Sequence, residues 1–153
     1  MYIFFGFLTI LILILTIVSH APLFKIRNNI KEKIVKNGLI HFTSQDNYIK
    51  IKENGLVGKK ADMGFPETLL GELVWTYQYV SNDDMETKHD IVISKVRGKL
   101  DSDRYGICIR ITGFCESDLN KLYTRRGFIR DNAIVYRGKV LNFNKVEVIK
   151  EWK

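Results

Sequence analysis

The sequence predicts an α+β architecture: one compact domain with a mixed, mostly antiparallel sheet and two or three short helices, preceded by a transmembrane helix. Three observations lead there. Residues 1–24 hold no Lys, Arg, Asp or Glu, although 27% of the 153-residue chain is charged. Beyond them, helical patterns gather early and strand-like runs late, which departs from the regular alternation of a doubly wound fold. The composition, 46% hydrophobic and 12% aromatic, is that of a chain able to bury one core, and its length excludes separate cofactor and substrate domains.

The first element is the apolar run from Tyr2 to Val18, interrupted only by Gly6, Thr9 and Thr16. At about 1.5 Å per residue a helix of that length approaches the roughly 30 Å hydrocarbon thickness of a bilayer. A cleaved signal peptide is the alternative, because Ser19-His20-Ala21 places small residues at the cleavage-determining positions, but no basic stretch precedes the run. Lys25, Arg27, Lys31, Lys33 and Lys36 follow with Glu32 alone opposing them, a net of +4 out of the chain's +7. The expected organisation is therefore a membrane anchor over 1–24, a basic juxtamembrane segment over 25–37 that sets topology or touches anionic lipid, and a domain over 38–153. That arrangement implies a single-pass protein of the cell membrane with a cytoplasmic C-terminal domain.

Within the domain, Leu39-Ile40-His41-Phe42 reads as a strand, and Thr43 followed by Asp46 has capping-box spacing for a helix. Asn54-Gly55 supplies that helix's stop. Leu73 to Val80 is rich in aromatic and β-branched residues, with Leu73, Trp75, Tyr77 and Tyr79 alternating onto one face. The polar run Ser81 to Asp90 reads as a loop holding a solvated His89, Ile91 to Val96 as a strand, and Tyr105 to Ile111 as another. A short helix opening at Glu116 or Ser117 and ending at Gly127 precedes strands near Ala133 to Tyr136 and Val146 to Trp152.

Several chemistries find no signature. Cys108 and Cys115 match neither a CxxC pair nor a zinc framework, and His20, His41 and His89 are too few and too scattered for a multi-histidine metal site, so no metal is expected. No G-x-G-x-x-G, P-loop, G-x-S-x-G or H-E-x-x-H is present. Residues 38–153 carry 19 basic and 16 acidic side chains, so the domain itself gives little support to bulk nucleic-acid binding.

The unit Leu39-Ile40-His41-Phe42-Thr43, Ile49, Gly55-Leu56 resembles the first motif of the ADP-ribosyltransferase-like superfamily, in the bacterial branches with a His in the first strand, among them the DNA-targeting and RNA 2′-phosphotransferase types. Gly71 to Tyr77 is similar to the aromatic strand that lines the nicotinamide pocket of that fold. The stretch Arg130 to Val140 resembles its late strand, except that Ile134 stands where many members carry a catalytic Glu. The resemblance covers roughly Leu39 to Val148. It implies NAD as a substrate or ligand, with His41 on the ribose hydroxyls, Thr43 on the adenosine side, and Trp75 or Tyr77 stacked on nicotinamide. Asp131 is the nearest carboxylate able to stand in for the Glu, and Arg125 and Arg126 are the cations for the pyrophosphate. Catalysis would then rest on His41, Tyr77 and Asp131, with ADP-ribose passed to a protein or nucleic-acid acceptor. With the Glu absent, the alternative is an inactive binding or immunity module of the same or an unrelated α+β fold. Each residue also has a purely structural role open to it: a core histidine, core aromatics, a turn at Asp131-Asn132, and cations at a helix C-terminus.

Overall fold

The computed structural model describes Gly6, Thr9, Ile10 and residues 23–60, 71–96, 105–125 and 133–152. The expected membrane anchor lies mostly outside these residues. Gly6, Thr9 and Ile10 are helical and exposed, yet among the described residues no helix is long and apolar enough to cross a membrane. The single-pass membrane assignment and the localisation built on it are corrected accordingly.

The segment expected to be a juxtamembrane linker belongs to the folded domain. Strand β1 (Leu23–Lys25) pairs antiparallel with β7 (Leu122–Arg125), and helix α1 (Asn28–Asn37) follows. The reason lies in the apolar residues between the cations. Ile26 and Ile34 are buried and Ile30 packs beside them, and burying an isoleucine stabilises by about 1.5–3 kcal/mol. Lys33 and Lys36 are left on the exposed side of α1, and Lys31 donates to the Asn120 side chain at 2.7 Å. Gly38 ends α1 with φ 84°, donating its N–H to the Ile34 carbonyl at 2.8 Å. A side chain there would strike the Ile111 carbonyl.

Strand β2 (Leu39–Thr43) leads directly into α2 (Gln45–Asn54). The cap of α2 is Ser44, not Thr43: its Oγ accepts from the Asn47 N–H at 3.3 Å, while Thr43 stays in the strand and is buried. Two short strands, β3 (Leu56–Val57) and β4 (Lys59–Lys60), precede β5 (Glu72–Gln78).

Helix α3 (Asn82–Val96) occupies the region expected to be a loop and then a strand. Ser81 starts it, its Oγ accepting from the Asp84 N–H and its carbonyl from the Met85 N–H. Asp83 and Asp84 sit favourably in the first turn. Met85, His89 and Val92, at helical spacing, turn inward. The late helix expected to run to Gly127 is a single turn, α4 (Glu116–Leu119); Leu122 then enters β7 and is buried opposite Tyr136. The remaining strands are β6 (Ile107–Thr112), β8 (Ala133–Arg137), β9 (Val140–Leu141) and β10 (Lys145–Glu151).

The main sheet runs β1-β7-β8-β5-β2-β6-β10, with β4 added beside β5, and β3 pairs with β9 apart from it. Its recorded pairings are antiparallel. One face carries Leu39, Val74, Ile109, Ile111 and Ile134 against Ile34 of α1 and Ile51 of α2. The other carries Ile40, Phe42, Tyr77 and Cys108 against Met85 of α3. A bulge between Val148 and Lys150 shifts the alternation of β10, so that Val148 serves the first core and Ile149 and Trp152 the second.

Candidate functional site

The site grows from a fault in the ladder between β2 and β5. These strands pair at Leu39–Gln78 and Ile40–Tyr77 and then part, although β2 stays paired with β6 along its whole length, through Thr43–Ile107. Farther along the same edge of β5, β4 takes over at Lys59–Leu73 and Lys60–Glu72. Between the two partners no described strand pairs with Val74, Trp75 and Thr76 on that side. The His41 imidazole reaches into this interval, its Nδ1–H donating to the Trp75 carbonyl at 2.8 Å. A side chain thus satisfies a main-chain group that a strand would otherwise hold.

That bond fixes the tautomer, since a carbonyl only accepts: the proton sits on Nδ1, and Nε2 carries the lone pair. Part of the His41 surface remains open, while protein surrounds the rest of the ring. Burial is the largest influence on its pKa and pushes it below the ordinary histidine value. The Trp75 carbonyl pulls the other way, and the Lys59 charge adds to the depression. At neutral pH His41 is therefore an uncharged imidazole, able to accept a hydrogen bond from a hydroxyl.

The other expected site residues are distributed less simply. Strand alternation puts His41 and Thr43 on the face covered by α1 and α2, whereas Trp75 and Tyr77 point to the α3 face. Tyr77 is packed there, its ring 5.9 Å from Phe42 and with Lys88 Nζ 5.9 Å above it. His41 thus meets Trp75 through the main chain, and the structure does not bring the His41 and Tyr77 rings onto one face. Arg125 ends β7, in register with Leu23, instead of ending a helix; Arg126 and Asp131 lie outside the described residues. In the row that crosses β5 and β8 from His41, Thr76 pairs with Ile134 and donates its hydroxyl to the Ile134 carbonyl at 2.9 Å. Ile134 is 3% exposed, so an apolar core side chain occupies the position where the resemblance places a carboxylate.

Two features were not visible in the sequence. His89 is not solvated: it is 9% exposed and stacked on Trp152, ring centroids 3.7 Å apart and planes within 2°. Its Nε2–H donates to the Tyr105 carbonyl at 3.1 Å, and the Trp152 indole N–H donates to Glu86 at 2.9 Å. The Glu86 carboxyl is held below its usual range by Lys150 first and then by this indole. Beneath them, burial pushes the Cys108 thiol up to about 12, which makes it inert. The second feature is Lys59, whose β4 strand could not be placed from the two residues Lys59-Lys60.

Among the described residues no group of three or more His, Cys, Asp or Glu is arranged to hold a metal. No family model, curated protein or solved structure matches this chain.

Proposed function

We propose that the domain binds NAD at the opening between β2 and β5 and holds it without cleaving it, as an ADP-ribosyltransferase-like binding module. The observation that carries this reading is His41 in the parted ladder. It is neutral, locked in one tautomer by the Trp75 carbonyl, and partly open. Its Nε2 is then an acceptor for a ribose hydroxyl. The nicotinamide carboxamide, one donor group and one acceptor, is of the kind that strand edges hold.

Retention of the glycosidic bond follows from Ile134. Departure of nicotinamide leaves an oxocarbenium-like ribose that needs a negative charge beside it, and across Thr76 from His41 the chain offers a buried isoleucine. The test is calorimetry of NAD with the full chain, together with an assay for released nicotinamide. Binding without release is expected. Release that disappears in Asp131→Asn would make the protein a transferase or hydrolase and overturn the non-cleaving reading. Absence of NAD binding would remove the NAD reading altogether.

A further inference from the structure

The groups around the His41 ring are uncharged. Continuing the register of Leu39–Gln78 and Ile40–Tyr77 sets His41 level with Thr76 on β5, and on its other side His41 pairs with Ile109 of β6. The row runs on through Ile134 of β8 to Thr124 of β7. Leu39 and Thr43 flank His41 along β2, Val74 flanks Thr76 along β5, and strand alternation turns them to the same face. Ile34 of α1 and Ile51 of α2 pack onto that face. Leu39, Thr43, Val74, Thr76, Ile109 and Ile134 are all buried, and none carries a charge.

Among the described residues, the carboxylates on this side of the sheet are distant, engaged or turned to solvent. Glu72 lies four residues along β5 from Thr76, about 13 Å at the rise of a strand. Asp118 stands beyond Tyr136, two residues along β8 from Ile134. Its Oδ1 accepts from the Tyr136 hydroxyl at 2.8 Å and its Oδ2 from the Cys115 thiol at 3.2 Å. Glu32 on α1, Asp46 and Glu53 on α2, and Glu116 and Glu151 are exposed. The charge that does act on the imidazole is that of Lys59, and it is positive.

A ring held beside His41 must therefore be accommodated by uncharged groups. The oxidised nicotinamide ring is a cation and the reduced ring is neutral, while the carboxamide and the ribose are common to both, so the hydrogen bonds open to them at Nε2 are the same. What differs is charge: a cation taken from water into an apolar surrounding without a counter-charge loses hydration that nothing replaces. We propose that the site holds the reduced, neutral form of the dinucleotide more tightly than the oxidised, cationic form. This rests on the NAD reading above. It gives a second reason for the glycosidic bond to survive, because a reduced ring would have to depart as an anion and is a poor leaving group.

The test is calorimetric titration of the full chain with the oxidised dinucleotide, the reduced dinucleotide, and an analogue in which benzamide replaces nicotinamide, planar and aromatic like the oxidised ring but uncharged. The reduced form and the benzamide analogue should each bind about tenfold more tightly than the oxidised form, the penalty of a cation that stays partly in contact with water. None of the three should bind to His41→Ala, confirmed to be folded. Equal affinity for the two redox forms, or a tighter oxidised form, would overturn this inference and leave the NAD reading standing. A benzamide analogue that binds only as well as the oxidised form would overturn it too, since ring geometry and not charge would then decide. A preference that persists in His41→Ala would place the ring elsewhere and overturn the assignment. Failure of the parent to bind any of the three would overturn the NAD reading and this inference with it.

Discussion

His41 and His89 make the same kind of bond, one ring N–H to a main-chain carbonyl, in two very different surroundings. His89 is pressed against Trp152, lies 5.5 Å from Phe42, and is closed over by α3 and the C-terminal strand. Every part of that cluster is engaged: Trp152 with Glu86, Glu86 with Lys150, and Lys88 with Gln78 and Asp84. His41 instead bridges two strands that have come apart and keeps part of its surface open. A histidine that completes a packed cluster serves stability. One that bridges a parted ladder and stays partly open keeps its second ring nitrogen as a hydrogen-bond acceptor.

The largest expected effect tests the floor of the His41 site. Ile134→Glu would place a carboxylate across Thr76 but would bury a charge where the side chain is 3% exposed. It should cost more than about 4 kcal/mol and leave the domain largely unfolded by circular dichroism. A folded variant that releases nicotinamide would show that the position opens into the site. Next, His89→Ala removes the stack on Trp152 and should destabilise by about 2–3 kcal/mol in urea unfolding while leaving ligand binding intact. His41→Ala should do the reverse, costing about 1 kcal/mol through the lost bond to Trp75 and abolishing binding. Equal stability losses at the two histidines would erase the distinction between them.

The smallest effect is in pH. The folded-state pKa of His41 lies below its ordinary value of about 6.5. Between those two values the unfolded chain binds a proton that the folded chain does not, so this contribution to stability is present above the ordinary value and is lost as pH falls from there to the folded-state pKa. Urea midpoints measured from pH 8 to 5 should fall less in His41→Gln than in the parent. A parent and variant with parallel profiles would contradict the buried, neutral imidazole.

Much of the sheet could be read from the sequence because its strands alternate cleanly: β2, β5, β6, β8 and β10 were all visible as apolar or β-branched runs. Helix α3 was not, since Asn82-Asp83-Asp84 looks like turn chemistry and Ile91-Val92-Ile93 like a strand. Only the spacing of Met85, His89 and Val92 signals a helix, and it places two apolar residues around a histidine. The apolar start at Tyr2 drew the basic residues 25–37 into a membrane reading, whereas Ile26, Ile30 and Ile34, at helical spacing, mark a segment that packs against the sheet. His41 was legible as a candidate from its strand and the helix cap after it. The parting of β2 from β5 was not, because register between distant strands is a tertiary property.

The most direct test of the central claim is titration of NAD into the full chain, its His41→Ala variant and its His89→Ala variant, each confirmed to be folded. Binding is expected in the parent and in His89→Ala and none in His41→Ala. Binding that survives His41→Ala unchanged, or a parent that does not bind, would contradict it.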